Sequence, residues 1–275
     1  MRLQGIWAAV VTPLDRNLAP DAAVAIPYYR ELLARGCDGI NLLGTTGEAM
    51  SLGLEQRLKF MEAIASSGLP MERVMTGTGA ASLADAARLT EAAFDYGFAA
   101  ALVMPPFFFR DVSDDGILAF FEELFGRANP PRKRVLLYNF PRMSGVTFTS
   151  ALVDRLLRRF PDAIDGMKDS SNDAALQAEI VAARRDFAVF PGSESDLLTA
   201  KRRGAAGCIS GSVALWPELA RAVFTAEDEA KARELTQRRK ELDGVPFIPA
   251  VRRQIARDRG EPAWERILPP QRPLD

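Results

Sequence analysis

The chain has 275 residues, 48% of them hydrophobic, and a formal net charge of -1. That length is ample for one large core, and the balanced charge carries no basic footprint for DNA or RNA. No apolar run reaches membrane-spanning length and Met1-Arg2-Leu3-Gln4 lacks the zones of a signal peptide, so the expectation is a cytoplasmic chain with neither membrane nor nucleic acid among its partners.

Taken in order, the chain alternates short apolar runs with amphipathic stretches. Gly5–Val11 reads as a strand stopped by Thr12-Pro13. Asp21–Arg35 reads as a helix, closed by Gly36. Cys37–Leu43 is the second strand, and Leu54–Ser67 a helix with apolar residues at Leu54, Leu58, Met61 and Ile64. Arg73–Gly77 is a strand, and Ser82 opens a helix to about Tyr96. Phe98–Met104 is the fourth strand, followed by Pro105-Pro106 and a helix over Ser113–Gly126. Arg134–Phe140 is the fifth, with a helix from Thr149 to near Arg159. Ala163–Lys168 is the sixth, with a helix over Asn172–Ala183. Phe187–Phe190 and Ala206–Ser210 complete the strands, each followed by a helix, Glu194–Arg203 and Ala214–Thr225. Eight strand–helix units of about thirty residues predict an α/β fold, a closed (β/α)8 TIM barrel over 1–225. An open doubly wound sheet lacks its signal, since no Gly-x-Gly-x-x-Gly follows the first strand. Residues 226–275, charged and helical and then proline-rich, read as C-terminal helices packed on the barrel within one structural unit.

The chain contains no histidine. That removes Ser-His-Asp and Cys-His catalysis and the usual histidine-based zinc sites. Proton transfer falls to Tyr, Lys, Asp, Glu, water or the substrate itself. Cys37 and Cys208 lie in or beside apolar runs and read as buried free thiols.

In such a barrel the reactive groups gather where strands end. The sixth strand ends in Gly166-Met167-Lys168-Asp169-Ser170-Ser171. A lysine there is either a desolvated amine, nucleophilic toward carbonyls, or one that reaches solvent or pairs with Asp169. The second strand ends in Gly44-Thr45-Thr46-Gly47-Glu48. That loop is either a backbone cup for a carboxylate or a tight turn bonded to itself. The fifth strand brings Tyr138, either a proton carrier or a core tyrosine. An amine, a phenol and a carboxylate cup together suit a 2-keto acid.

These motifs resemble the dihydrodipicolinate synthase / N-acetylneuraminate lyase family of class I, Schiff-base-forming lyases. The resemblance runs from Gly5 to about Trp216 and rests on Gly-Thr-Thr-Gly-Glu at 44–48, Tyr138-Asn139-Phe140-Pro141, and Gly166–Ser171. It implies that Lys168 forms the imine and Tyr138 relays protons. It further implies that Thr45 and Thr46 bind the pyruvate carboxylate beside Gly44, with Thr46 also orienting Tyr138, and that Gly192 and Ile209 line the pocket. A (β/α)8 barrel, a homotetramer built as a dimer of dimers, and no metal or dissociable cofactor are also implied.

Two departures steer the substrate. Synthases carry an arginine where this chain has Met143, and the nearby arginine is one residue early, at Arg142. Synthases also carry a Tyr-Tyr pair after the fourth strand, where this chain reads Phe107-Phe108-Phe109 and has no hydroxyl to relay a proton. The reading is therefore an aldolase acting on pyruvate and an aldehyde, with a 2-keto-3-deoxy sugar acid such as 2-keto-3-deoxygluconate as the joined compound. Arg142, Ser144, Glu194 and Ser212 would set its specificity. Dihydrodipicolinate synthase, a keto-acid dehydratase or deaminase, and a non-catalytic keto-acid sensor are the alternatives.

Overall fold

The computed structural model describes residues 3–274. Eight parallel strands follow one another around a ring. They are β1 (Gly5–Ala9), β2 (Gly39–Leu42), β3 (Val74–Gly77), β4 (Ala101–Val103), β5 (Val135–Asn139), β6 (Ile164–Asp169), β7 (Ala188–Pro191) and β8 (Gly207–Ser210). β1 pairs with both β2 and β8. The remaining seam, β7 to β8, is bridged by the Ala206 N–H donating to the Val189 carbonyl at 2.8 Å. The expected (β/α)8 barrel is therefore the fold.

Alternation along each strand produces two cores. Outward residues such as Ile40, Leu42, Val74, Leu137 and Met167 pack under the helices. Inward residues such as Trp7, Met75, Leu102, Leu136, Phe190 and Ile209 fill the barrel. Each such large side chain contributes about 1.5–3 kcal/mol on full burial, so the two-sided sheet explains why these strands read as nearly continuous apolar runs.

The helices are α1 (Ala22–Ala34), α2 (Leu54–Ala65), α3 (Leu83–Asp95), α4 (Asp114–Ala128), α5 (Pro141–Ser144), α6 (Ser150–Arg159), α7 (Ala174–Ala183), α8 (Leu197–Arg202) and α9 (Pro217–Ala226), with α10 (Glu229–Lys240) and α11 (Phe247–Arg259) in the C-terminal extension. Side chains of Asp21, Ser82, Ser113, Thr149, Asp173 and Asp228 each accept a first-turn N–H, which is why these helices start where they do. The helix expected from Ala214 starts instead at Pro217, a residue suited to the first helical position, and Ser212–Ala214 forms a separate 3-10 turn. The helix expected from Glu194 begins only at Leu197, and the four-residue α5 was not expected at all. β6 runs one residue further than anticipated, to Asp169, so Lys168 is held inside a ladder and not at a frayed end.

None of the helices among the described residues is long and apolar enough to cross a membrane. Both cysteines are fully buried. Burial first, and then the charge of Asp38, pushes the Cys37 thiol up to about 12. Burial, followed by the charge of Glu194, also raises Cys208. Because the thiolate is the reactive form, the folded protein is expected to give no colour with a thiol-exchange reagent at mildly alkaline pH, and to titrate for two thiols once unfolded in guanidinium.

Candidate active site

β5 and β6 place their motifs on the same rungs. Tyr138 pairs with Lys168, and Asn139 with Asp169. Alternation turns the first pair into the barrel and the second out under the helices. Lys168 is 5% exposed, and its Nζ lies 4.6 Å from the centroid of the Tyr138 ring. Among the described residues no carboxylate forms an ion pair with it. Asp169 is on the opposite face, where Asn139 Nδ2, Ser171 Oγ and Gln177 Nε2 donate to it. Asn139 Oδ1 in turn accepts from the Phe148 N–H at 3.0 Å. The outward pair thus clamps the ends of β5 and β6 together, and the inward pair inherits a fixed spacing. Of the two sequence alternatives for Lys168, the geometry matches the desolvated amine, since the side chain neither reaches solvent nor pairs with Asp169.

The Gly44–Glu48 loop leaves β2 through left-handed backbone at Leu43 and Glu48, φ 47 and 54. The Glu48 N–H donates to the Thr45 carbonyl at 3.0 Å. Thr12 at the end of β1 donates to the Gly47 carbonyl at 2.9 Å. A Cβ on Gly47 would meet Thr12 Oγ1 at 3.0 Å and the Val10 carbonyl at 3.2 Å, so the loop lies close against the chain leaving β1 and a larger residue would have to push it off by a few tenths of an ångström. Glu48 is 4% exposed. Its carboxylate takes the guanidinium of Arg252 from α11 and the Leu268 N–H.

The two threonines divide differently from expectation. Thr45 Oγ1 lies 3.3 Å from Tyr138 Oη, so Thr45, and not Thr46, is the hydroxyl in contact with the phenol. Thr46 is turned toward β8, where a Cβ on Gly211 would lie 2.9 Å from its Oγ1. The backbone of the turn after β2 decides which of two adjacent threonines faces a neighbour, and loop sequence alone does not carry it.

Gly192 sits against β6, its N–H donating to the Asp169 carbonyl at 2.6 Å. Ile209 is fully buried in the barrel's inner core. Arg142 and Met143 are exposed on α5. Ser144 is not placed to meet a substrate: it is fully buried, and its hydroxyl bonds the Phe140 and Val146 carbonyls and the Val146 N–H. It holds the α5 turn. Phe108 and Phe109 are 74% and 72% exposed and touch edge to face. Glu194 is 1% exposed and accepts from Ser212 Oγ.

Sequence reasoning missed two groups. Arg252 joins the cup across 204 residues, a separation that leaves no local signal. Asn41, the single polar residue in Gly39-Ile40-Asn41-Leu42, is fully buried, and neither amide atom has a hydrogen-bond partner among the described residues. The signal in the sequence is that interruption of an apolar run.

The family model for the dihydrodipicolinate synthetase family matches residues 2–253. An uncharacterized DapA-like lyase from Chloroflexus aurantiacus is 37% identical over 224 residues, covering 81% of this chain and 74% of that protein. The crystal structure of dihydrodipicolinate synthase from Agrobacterium tumefaciens superposes with a TM-score of 0.93 at 31% identity, covering 99% of this chain and 94% of that one. A 2-keto 3-deoxygluconate aldolase from Picrophilus torridus superposes with a TM-score of 0.88 over 99% of this chain and 98% of that one, and at 22% identity this is a likeness of fold. With the motifs of the amine, the phenol and the cup drawn to one barrel mouth and the family model matched over nearly the whole chain, the protein belongs to the dihydrodipicolinate synthetase family and is a carbon–carbon lyase.

Proposed function

We propose that the protein is a pyruvate-type class I aldolase that cleaves and forms the C3–C4 bond of a 2-keto-3-deoxy sugar acid, 2-keto-3-deoxygluconate being one candidate. The single observation that carries the reading is Lys168, buried inside the barrel with its amine over the Tyr138 ring and the Tyr138 hydroxyl in contact with Thr45. In cleavage the Lys168 amine adds to the C2 ketone and water leaves, giving a protonated imine. The cup at Gly44–Thr46 holds the substrate carboxylate through backbone N–H groups and hydroxyls. Tyr138, with Thr45 as its hydroxyl partner, takes the proton from the C4 hydroxyl. The C3–C4 electron pair moves into the imine, leaving an enamine that is protonated and hydrolysed to pyruvate. This chemistry runs through a covalent bond to Lys168 and calls for no metal or dissociable cofactor.

The sugar-acid substrate is favoured by what stands at two positions. Met143, 44% exposed, offers no cation for the far end of a synthase substrate, and Phe107–Phe109 offer no phenol for a third relay member. Synthase activity, condensing pyruvate with aspartate semialdehyde, is the second reading, supported by the 31% identity to the Agrobacterium enzyme. We place the protein in the cytoplasm as a homotetramer. The exposed Phe108 and Phe109 supply an apolar anchor for self-association.

The test is a screen for pyruvate release from a panel of 2-keto-3-deoxy acids, run beside aspartate semialdehyde condensation. The reading expects turnover of at least one sugar acid and weak or no condensation, and condensation as the dominant activity contradicts it. A keto-acid sensor would release no pyruvate from any donor. Loss of the phenol in Tyr138→Phe is expected to lower kcat by about 10²-fold, with the aromatic face over Lys168 kept and pyruvate affinity changed little.

A further inference from the structure

Asn41 lies on β2 between Ile40 and Leu42, both of which belong to the outer core. It therefore faces the barrel interior. It is fully buried, and neither Nδ2 nor Oδ1 has a hydrogen-bond partner among the described residues. A buried amide left bare costs about 1–3 kcal/mol per group, and native interiors pair such groups with protein or with ordered water. Both ends of the amide are bare, so turning it over changes nothing.

The register says what faces it. In a barrel of this type, inward side chains from alternate strands lie in layers of four. Following the strand pairs around the ring, with one residue of stagger per strand, puts Asn41, Leu102, Lys168 and Ile209 in one layer. Leu102 and Ile209 are apolar, so the polar group Asn41 faces within its layer is the Lys168 amine. Beneath, the Trp7 ring packs against Gly39 and closes the floor. Above, a Cβ on Gly44 would lie 2.9 Å from Asn41 Nδ2, so the amide reaches the first residue of the carboxylate cup. A polar socket is thus built into an otherwise apolar floor, between the cup and the amine.

We propose that Asn41 holds one buried water molecule in the barrel floor facing Lys168, the water that leaves as the imine forms and returns as it is hydrolysed. The inference rests on the imine reading above. The step balances without any co-reactant. The amine nitrogen bonds to C2 and the ketone oxygen becomes a hydroxyl. The C2–O bond then breaks as the Tyr138 phenol gives that oxygen its second proton, the nitrogen lone pair forms C=N, and the oxygen departs as water, leaving the protonated imine. Hydrolysis is the reverse. A socket that serves this water changes the rates in both directions equally and leaves the equilibrium alone. A residue that only grips the carboxylate changes the equilibrium instead.

Asn41→Leu replaces the amide with an apolar group of similar size, and Asn41→Ser keeps a hydroxyl and leaves room for water. The full-length enzyme is mixed with pyruvate and quenched with borohydride at increasing times, and the intact mass gives the labelled fraction. Dilution of the labelled-competent complex into pyruvate-free buffer, quenched in the same way, gives hydrolysis. The expected result is a fall of about tenfold in both rates for Asn41→Leu, an unchanged final labelled fraction, and rates for Asn41→Ser within about twofold of the parent. Rates in Asn41→Leu that fall by less than about fivefold, a change confined to the final fraction, or an equal loss in Asn41→Ser each overturn the inference while leaving the imine reading in place. No label in the parent enzyme overturns the imine reading, and this inference with it.

Discussion

Lys168→Ala is expected to abolish turnover, with a loss on the order of 10⁴-fold or more in kcat, while the fold is kept. The size of the effect follows from the chemistry. The bond to C2 is what turns a ketone into an electron sink, and among the described residues no other lysine is buried to replace it. Lys168 is the inward residue of its rung on β6, 5% exposed, and its nearest aromatic partner is the Tyr138 ring at 4.6 Å. The fold survives because the clamp that joins β5 to β6 is on the other face, where Asn139 and Asp169 meet. Removing the lysine also removes a buried polar group that has no paired carboxylate among the described residues, so unfolding should not become easier. Circular dichroism and melting temperature establish the fold, and pyruvate release measures the loss. Activity within about tenfold of the parent would end the covalent mechanism.

Arg252→Met is expected to destabilise the protein by about 3–5 kcal/mol, the cost of leaving a buried charge uncompensated. Arg252 is 1% exposed and Glu48 4%. Arg252 Nε donates to Glu48 Oε2 at 2.7 Å, its Nη2 to the Thr12 carbonyl at 2.7 Å, and its Nη1 to the Trp264 carbonyl at 3.3 Å. Glu48 Oε1 takes the Leu268 N–H at 2.8 Å. One ion pair therefore ties together the carboxylate cup, the end of β1, α11 and the proline-rich tail. Desolvation pulls the Arg252 guanidinium below its ordinary range, and the Glu48 charge opposes that shift. The pair is therefore poised, and cutting one half leaves the other exposed to an apolar interior. Glu48→Gln in the Arg252→Met background should recover part of the loss, because it removes the stranded charge. Denaturant midpoints measure both. Loosening the cup should also raise KM for the keto acid more than it lowers kcat, since Thr45 and Thr46 sit in the same loop.

Much of this architecture was legible because one period governs it. Apolar runs broken every thirty or so residues could only be strands covered on both faces, and their ends collected the reactive side chains. The motifs at 138–141 and 166–171 were visible as separate strings. That they are two rungs of one ladder, with Tyr138 opposite Lys168 and Asn139 opposite Asp169, required the register. The same limit explains the threonines. A loop sequence places Thr45 and Thr46 together, while the turn decides that Thr45 meets Tyr138 and Thr46 meets Gly211. Ser144 looked like a pocket residue because it follows Tyr-Asn-x-Pro, but Pro141 starts a short helix and the serine closes it from inside. Arg252 lies in the stretch read only as C-terminal helices packed on the barrel, and its partner 204 residues away left no local signal for the ion pair.

The measurement that bears most directly on the whole account is reductive trapping. The protein is treated with pyruvate and borohydride, digested, and mapped by mass spectrometry. The account predicts one reduced pyruvyl adduct, carried by the peptide that contains Lys168 and blocked by Lys168→Ala. An unmodified protein, or an adduct on any other lysine, would contradict it.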